Sequence, residues 1–331
     1  MVDSLGIGIE LYKKEKKMGR IYVTGDIHSE PDRFNTENFP EQKEMTRDDY
    51  VIICGDFGLV WSEDRESKRE TWWLDWLENK TYTTLFVDGN HENFTRLNSL
   101  PIEEWHGGRV HKIREHVIHL MRGEMFDLDG KMIFTFGGAR SHDIDGFATN
   151  SALKKDYTAG ILQPDDPLIY EKLKILRTTN CCARIEEVSW WRSEMPTRLE
   201  MLHGLETLKA HNWKTDFIFS HDGPSSSLEI LGGGLLSPDP LNQYLEKVKK
   251  KTSYNKWFFG HHHVDRQITE KDSVSRSQES AKLKKLIISA WNPGGMSLPG
   301  LSFCGNRGLF FHNLCKEVME RKCYLCLCRH A

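Results

Sequence analysis

Seven short apolar runs recur along the chain, and each ends in glycine or a polar residue. They are IYVTG at 21–25, VIICG at 51–55, TLFVDG at 84–89, MIFTFGG at 132–138, DFIFS at 216–220, KWFFG at 256–260 and KLIIS at 285–289. Continuous Val, Ile and Phe runs of this length are typical of strands that are buried on both faces. The pattern therefore predicts strands in the interior of a sheet.

Stretches with helical periodicity lie between several of these runs. Residues 66–79 (ESKRETWWLDWLEN) place apolar side chains, including Trp73 and Leu77, on one side of a helix and charges on the other. Residues 197–213 show a similar pattern. Strands that alternate with helices predict an α/β fold whose sheet is at least partly parallel.

Three segments depart from this alternation. We expect a charged extension at residues 1–18, a domain at 19–295 and a Gly-rich, then Cys-rich, tail at 296–331. Residues 141–196 form a long insertion between two of the predicted strands of the domain. An insertion of this length inside a compact domain is usually functional or disordered.

Composition narrows the class of protein further. The chain has 331 residues, 38% of them hydrophobic, and a net charge of −3, so a real core is expected and a nucleic-acid or membrane partner is not indicated. No run of about 18 apolar residues exists. Five of the eight cysteines follow residue 303, and this uneven placement favours a reducing compartment over a disulfide framework. We expect a soluble, cytoplasmic protein; the sequence does not fix its oligomeric state.

Side chains that can bind metals follow five of the predicted strands, in the motifs GDIH, GDFG, GNHE, SHDGP and GHHH. The candidate ligands are Asp26, His28, Asp56, Asn90, His221, His261 and His263. In open α/β sheets, functional sites lie in the crevice beyond the carboxyl ends of the strands. We therefore expect these side chains to meet.

The kinds of donor in this set indicate which metals would bind. Oxygen and nitrogen ligands without cysteine suit Mn, Fe or Zn better than Ca, and they argue against a structural zinc site with four cysteines. Seven ligands are too many for one open catalytic ion, but they suit two ions that share a carboxylate. We expect two divalent metal ions, Mn²⁺, Fe²⁺/Fe³⁺ or Zn²⁺, as cofactors.

The GHHH motif contains three consecutive histidines. Along an extended backbone, successive side chains point to opposite sides. We therefore expect His261 and His263 to share one side and His262 to point away, in a surface or supporting role.

These motifs resemble the signature of the calcineurin-like metallophosphoesterases: GDxH, a short GDxG, GN[HD][ED], a lone His after a strand, and GHxH. All five stand in this order, over roughly residues 19–292. The resemblance implies a sandwich of two mixed β-sheets flanked by helices, with a dinuclear site at its rim. Segments such as GNHENFTRL resemble a bacterial and phage branch of the family, which supplies no substrate to carry over.

The family's ligand roles are carried over residue by residue. The resemblance implies one ion held by Asp26, His28 and His263, a second held by Asn90, His221 and His261, and a bridge between them at Asp56.

The resemblance also implies the chemistry, which is phosphoester hydrolysis by attack of a metal-bridging hydroxide. His91 would protonate the leaving oxygen or stabilise its charge. GDFGLVW lacks the longer GDxxDxG motif, so the carboxylate that orients this histidine in the family's protein phosphatases has no counterpart here. Its absence weakens a protein-phosphatase interpretation.

Several neighbouring residues are candidates for supporting roles. Arg96 and Arg140 follow site-bearing strands and could bind substrate phosphate. Asp88 and Asp222 adjoin candidate ligands and could orient imidazoles, with an ordinary turn role as an equal alternative.

The leading hypothesis is a metal-dependent hydrolase acting on a small-molecule phosphate ester or a phosphoprotein. A phosphodiesterase or nuclease would need basic and stacking side chains; Trp190 and Trp191 could stack on a base or anchor a loop on the core, but no dense basic run accompanies them. A catalytically silent scaffold predicts missing ligands, and none is missing. A regulatory module that binds a partner through 141–196 or the tail is a further alternative.

Overall fold

Two mixed β-sheets pack face to face at the centre of the molecule, and helices cover both outer faces. The computed structural model describes residues 19–144, 160–178, 183–234, 236–275 and 284–286, and all structural statements refer to these residues. The arrangement confirms the predicted fold class, an α/β sandwich of two mixed sheets flanked by helices.

Fifteen strands are present in the described residues. In chain order they are β1 (Ile21–Thr24), β2 (Tyr50–Cys54), β3 (Thr83–Val87), β4 (Ile102–Trp105), β5 (Gly108–Arg114), β6 (Val117–Leu120), β7 (Met125–Leu128), β8 (Lys131–Phe136), β9 (Ile161–Leu162), β10 (Arg184–Ile185), β11 (Phe217–Ser220), β12 (Lys256–Phe259), β13 (Arg266–Gln267), β14 (Asp272–Val274) and β15 (Lys284–Leu286).

The order of the strands places a parallel block inside each sheet. Sheet A runs β15–β1–β2–β3–β6–β5–β4, and sheet B runs β13–β14–β12–β11–β8–β7. The neighbours from β1 to β6 in sheet A and from β14 to β8 in sheet B are parallel, whereas the outer strands are antiparallel. Each parallel block therefore ends at a single edge of its sheet.

Helices pack against the outer faces of the sheets and within the insertion. They are α1 (Lys68–Glu78), α2 (Phe94–Leu97), α3 (Ile169–Thr178), α4 (Arg198–Ala210), α5 (Ser225–Gly232) and α6 (Pro240–Lys251), with 3-10 turns at Pro31–Phe34, Pro40–Glu44 and Arg192–Glu194. Among the helices described, none is long and apolar enough to cross a membrane.

Six of the seven apolar runs lie in the core as predicted, and the seventh, at 285–289, lies largely outside the described residues. Along β2, Ile52 and Cys54 belong to the core between the two sheets, whereas Val51 and Ile53 belong to the core between sheet A and α1. All four side chains are fully buried. Burying an aliphatic side chain of this size contributes about 1.5–3 kcal/mol, so a strand that is buried on both faces has little tolerance for polar residues.

The insertion between β8 and β11 has its own small core. Strands β9 and β10 pair in parallel, and Ile169 and Leu173 of α3 pack against Leu162. The extension predicted at 1–18 and the tail predicted at 296–331 lie outside the described residues, so their boundaries stay predictions.

Glu70 ties the start of α1 to the loop that follows β2. Its carboxylate accepts hydrogen bonds from the N–H groups of Trp61 (2.6 Å) and Ser62 (2.9 Å) and from Arg96 Nη1 (2.8 Å), and it completes a capping box with Ser67. Burial alone would raise the pKa of Glu70, but hydrogen bonds from Ser62 and Ser67 outweigh it and lower the pKa to about 2. The ionised carboxylate therefore stabilises the folded state.

We expect Glu70→Gln to lower the free energy of unfolding at neutral pH by about 1–3 kcal/mol, because buried donors lose an ionised acceptor. The folded-state pKa lies below the unfolded one, so this contribution is fully present above a pH of about 4.5 and is lost as the pH falls towards 2. Urea unfolding of the variant and the parent at decreasing pH should show the difference shrinking. Exposed Glu63→Gln is the control, and a difference that stays constant down to the lowest pH at which the parent is folded would contradict the assignment.

Candidate metal centre

The carboxyl ends of strands from both sheets meet at one rim of the sandwich, and the seven predicted ligands follow those strands. Two hydrogen bonds join the sheets at this rim. The His261 N–H donates to Asp26 Oδ1 over 2.9 Å, and His221 Nδ1 lies 2.8 Å from the carbonyl oxygen of Cys54. The second contact leaves His221 Nε2 to face the centre of the rim.

Four of the predicted ligands form one cluster. One ligand atom from each of Asp26, His28, Asp56 and His263 lies within 4.8 Å of the others. His263 Nε2 is 3.0 Å from Asp26 Oδ2 and 3.1 Å from His28 Nε2. Two imidazoles and two carboxylates at this spacing are a donor set typical of Mn, Fe or Zn, and the cluster could hold a metal ion.

Three predicted ligands, Asp56 among them, form a second group beside the first. His221 Nε2 is 3.1 Å from Asn90 Oδ1 and 3.3 Å from Asp56 Oδ1. The other oxygen of Asp56, Oδ2, lies 3.7 Å from His28 Nδ1. The two carboxylate oxygens of Asp56 therefore face different imidazoles, which is the placement that a bridging ligand requires.

His261 lies next to the second group. Its ring centroid is 5.0 Å from that of His221 and 4.7 Å from that of His142, and the residue is buried. In the described part of the chain, its Nε2 atom has no hydrogen-bond partner. Leaving such a group buried and unsatisfied costs about 1–3 kcal/mol. A cation would satisfy it, so the second group also fits a metal ligand set.

The charges of the rim create a negative field. Burial alone would raise the pKa of Asp26, but the hydrogen bond from His263 and the charge of His221 hold it well below its usual range. Burial would also raise the pKa of Asp56, but the charges of His221 and His91 outweigh it and lower the pKa. Conversely, burial would lower the pKa of His221, but Asp56 and Asp26 raise it. A field that favours a proton at this point also favours a cation.

The imidazoles of two further predicted ligands, His28 and His261, are held in their neutral form. Burial lowers the pKa of His28 to about 4 and that of His261 well below its usual value. Metals bind the neutral form of imidazole, so desolvation prepares these side chains for a cation.

Four of the predicted ligands have a left-handed backbone. Their φ angles are 46° at His28, 48° at Asp56, 65° at His261 and 52° at His263. Such a conformation costs of order 1–3 kcal/mol per non-glycine residue and clusters at functional sites. Four left-handed residues at one rim indicate that the surrounding structure holds these side chains in place despite the unfavourable backbone conformation.

The GHHH motif is a turn, and the extended backbone predicted for it is wrong. The His262 N–H donates to the carbonyl of Gly260 over 2.7 Å, between two left-handed residues. The His262 imidazole nevertheless points away from the predicted ligands, because its Nε2 atom lies 2.9 Å from Asp222 Oδ1. The turn, rather than pleat alternation, sets the directions of these imidazoles.

Two glycines allow the ligand loops to approach one another. A Cβ atom on Gly55, whose φ is 93°, would lie 2.0 Å from His221 Nδ1, and one on Gly89 would lie 2.0 Å from Asp56 Oδ1. Any side chain at either position would push a predicted ligand away, which explains the glycines in the GDFG and GNHE motifs.

His91 lies beside the cluster. Its N–H donates to Asp56 Oδ1 over 2.8 Å, and its ring centroid is 5.3 Å from that of His28. Burial lowers the pKa of His91, and the ion pair of Arg184 and Asp143 acts on it electrostatically as well. A role in protonating the leaving oxygen stays a prediction.

The two arginines predicted to bind substrate differ in their surroundings. Arg96 donates to Glu70 Oε1 (2.8 Å) and to the carbonyl of Ser62 (3.1 Å), and its side chain is mostly buried. This engagement assigns Arg96 a structural role at α1 and argues against substrate binding. Arg140 acts electrostatically on His142 near the rim, and its substrate role stays a prediction.

Asp88 and Asp222 are buried acceptors, not ordinary turn residues. Asp88 accepts from Arg122 Nε over 2.8 Å and lies 3.1 Å from His119 Nε2. Asp222 Oδ2 accepts from Asn242 Nδ2 over 2.8 Å, and its other oxygen contacts His262. Each orients an imidazole, as one alternative predicted, but neither of those imidazoles is a predicted ligand.

The adjacent tryptophans of the insertion anchor it on the domain. Trp190 and Trp191 are 7% and 4% exposed, too little for either to serve as a stacking platform. Trp191 Nε1 donates to Thr95 Oγ1 over 3.0 Å, and its ring packs edge-on against Trp61. The anchoring alternative therefore describes both residues.

Glu92, for which no role was predicted, shapes the centre from inside the GNHE motif. Its carboxylate accepts from the N–H groups of Phe57 (2.7 Å) and Gly58 (3.1 Å), so it fixes the loop that carries Asp56. Burial and the charge of Asp56 raise the pKa of Glu92 to about 8. Its position next to His91 was the available signal. Ser141 and Glu194 were missed as well, because their roles depend on contacts distant in sequence.

The fold and the rim together define the class of a metal-dependent hydrolase built on a two-sheet sandwich. The family model for calcineurin-like phosphoesterases matches residues 19–265. The chain belongs to the calcineurin-like phosphoesterase family, a group of metal-dependent hydrolases, and this confirms the resemblance carried by the five motifs.

A curated relative matches part of the chain. Lariat debranching enzyme A of Xenopus laevis is 32% identical over 98 residues, which are 26% of this chain and 18% of the relative. The chain therefore covers about a fifth of the length of that relative.

We expect His261→Ala to weaken Mn²⁺ binding by at least about tenfold, because it removes a predicted ligand nitrogen. The neighbouring variant His262→Ala should keep Mn²⁺ binding within a few-fold of the parent and should mainly lower stability, by about 1–3 kcal/mol, since buried Asp222 loses a partner. Isothermal titration calorimetry and thermal unfolding of both variants check this pair. If both variants weakened Mn²⁺ binding equally, the assignment of His261 rather than His262 as a ligand would be wrong.

Proposed function

We propose that this protein is a dinuclear metal-dependent phosphoesterase that hydrolyses a phosphate ester. The observation that carries the proposal is the convergence of Asp26, His28, Asp56 and His263 within 4.8 Å, with His221 on the other side of Asp56. Two adjacent ligand groups that share a carboxylate are the arrangement used to clamp a phosphoryl group.

The ligand side chains would divide the work of holding two ions. Asp26, His28 and His263 would hold the first, and Asn90, His221 and His261 the second, with Asp56 between them. Two divalent cations bound there would polarise the phosphoryl oxygens and lower the pKa of the attacking water. The negative field of the buried carboxylates supports occupancy by cations, and the donor set favours Mn²⁺, iron or Zn²⁺ over Ca²⁺.

His91 would deliver a proton to the leaving oxygen. It reaches the rim from the loop after β3, and its backbone N–H is already anchored on Asp56. Once ester cleavage begins, charge develops on the leaving oxygen, and the N–H of a positioned imidazole beside it stabilises that charge.

The net charge of the chain and the burial of two tryptophans support a proposal for the class of substrate. Net charge of −3 and the buried state of Trp190 and Trp191 favour a small phosphate ester or a phosphoprotein over a nucleic-acid strand. The phosphodiesterase alternative is favoured by one observation, the partial match to a protein named as a lariat debranching enzyme. The distribution of cysteines supports a cytoplasmic place of action.

A panel of phosphate monoesters and diesters, assayed after loading the protein with Mn²⁺, tests the proposal. We expect turnover of at least one class, and we expect Asp56→Asn to abolish it and lower metal content, because one carboxylate compensates both ions. Exposed Asp127→Asn is the matched control. Inertness towards both classes in protein that carries metal would favour the catalytically silent scaffold.

The leaving group should reveal the role of His91. We expect His91→Ala to slow hydrolysis of an alkyl phosphate by about 10²–10⁴-fold and to affect p-nitrophenyl phosphate much less, because a good leaving group needs no proton. Steady-state kinetics on both esters measures the ratio, with exposed His211→Ala as control. A loss of the same size on both esters would contradict the role in protonation.

A further inference from the structure

The side-chain amide of Asn90 has a defined direction. Its Oδ1 atom lies 3.1 Å from His221 Nε2 at the rim, and its Nδ2 atom donates to Ser141 Oγ over 3.2 Å. An amide can bind a cation only through its oxygen, so a rotation by half a turn would present N–H groups to the cation instead. The direction of this amide decides whether Asn90 can act as a ligand.

Ser141 is itself fixed by Glu194. The Ser141 N–H donates to Glu194 Oε1 over 3.0 Å, and the Ser141 hydroxyl donates to Glu194 Oε2 over 2.5 Å. Asn90, Ser141 and Glu194 are 5%, 4% and 1% exposed, so water does not compete for these bonds. Glu194 ends the turn Arg192–Glu194 at the far end of the insertion, whereas Ser141 stands at its beginning.

The hydroxyl of Ser141 has one proton, and it donates that proton in its hydrogen bond to the carboxylate of Glu194. The Ser141 oxygen can then only accept from Asn90, so the NH₂ group must face Ser141 and Oδ1 must face the rim. We propose that Ser141 and Glu194 are positioning residues that orient the amide of Asn90 for metal binding. This inference rests on the proposed function, because the ligand role of Asn90 is part of it.

The two ends of the insertion would thus have a role at the metal centre. Contacts that orient metal ligands are worth about 10–100-fold in metal affinity. The ends of a segment of more than fifty residues therefore act on one amide, and the insertion would be required for the second ion rather than for the fold alone.

Titration of metal-free protein with Mn²⁺ in a calorimeter tests this role without relying on turnover. The titration is run at a pH of about 8, because burial raises the pKa of Glu194 to about 7 and the carboxylate form is required. We expect the parent to bind two ions and Ser141→Ala to bind one of them about 10–100-fold more weakly. Glu194→Gln, which keeps an acceptor oxygen, should retain more affinity than Glu194→Ala.

Ser227→Ala is the matched control. Ser227 is fully buried, and its hydroxyl bridges Lys249 and Asp272; in the hydrogen bonds described, none of the three contacts a predicted ligand. It should lose comparable stability in thermal unfolding and keep both ions. Equal weakening of Mn²⁺ binding by Ser227→Ala and Ser141→Ala would reduce the effect to general destabilisation and overturn the inference.

The variant Asn90→Asp separates orientation from other effects. Aspartate has two equivalent oxygens and no wrong direction, so in this background Ser141→Ala should change Mn²⁺ affinity by less than about threefold. An undiminished effect of Ser141→Ala would overturn the inference while leaving the dinuclear proposal intact. Binding of fewer than two ions by the parent would overturn both.

Discussion

Two buried carboxylates, Asp26 and Asp56, are the constraint on which the rest of the rim depends. They are 0% and 1% exposed, and removing an ionised carboxylate from water costs several kcal/mol. Backbone N–H groups of His261 and His91 offset part of this cost, and these two donors come from different sheets. The remaining negative charge favours a cation. Burial of the two carboxylates therefore destabilises the folded state but prepares the site for metal binding.

The need to surround this negative charge explains why the carboxyl ends of the strands of both sheets meet at one rim. Each parallel block releases its ligands at one edge, and the two edges meet through contacts such as His221 to Cys54. Left-handed backbone at ligand positions and glycines in the adjoining turns are the local consequences. Strain of this kind persists because the buried cores on both sides of each sheet hold the strand ends in place.

The insertion at 141–196 changes how the centre is understood. In the sequence it is a segment that departs from the alternation of strands and helices, and it was expected to be either functional or disordered. Its described parts instead form a small core, anchor Trp191 on Thr95, and carry Ser141 and Glu194 to the back of a predicted ligand. The contacts of Trp191 and Ser141 join residues more than fifty positions apart, and no local pattern predicts them. Strand β4 was missed as well, since an exposed, charged edge strand lacks the apolar run that marks a buried one.

The sequence by itself determined most strands of the parallel blocks, with β6 and β14 missed, together with the helices α1 and α4 and the residues that gather at the rim. It could do so because burial on both faces demands unbroken apolar runs and because parallel strands deliver their carboxyl ends to one place. Tertiary structure alone decided that Arg96 pairs with Glu70, that the GHHH motif turns instead of extending, and that Asp88 and Asp222 orient histidines other than the predicted ligands. Each of these outcomes depends on which side chains the fold brings together from distant parts of the chain. A hydrogen bond of about 3 Å between such residues leaves no pattern in the local sequence.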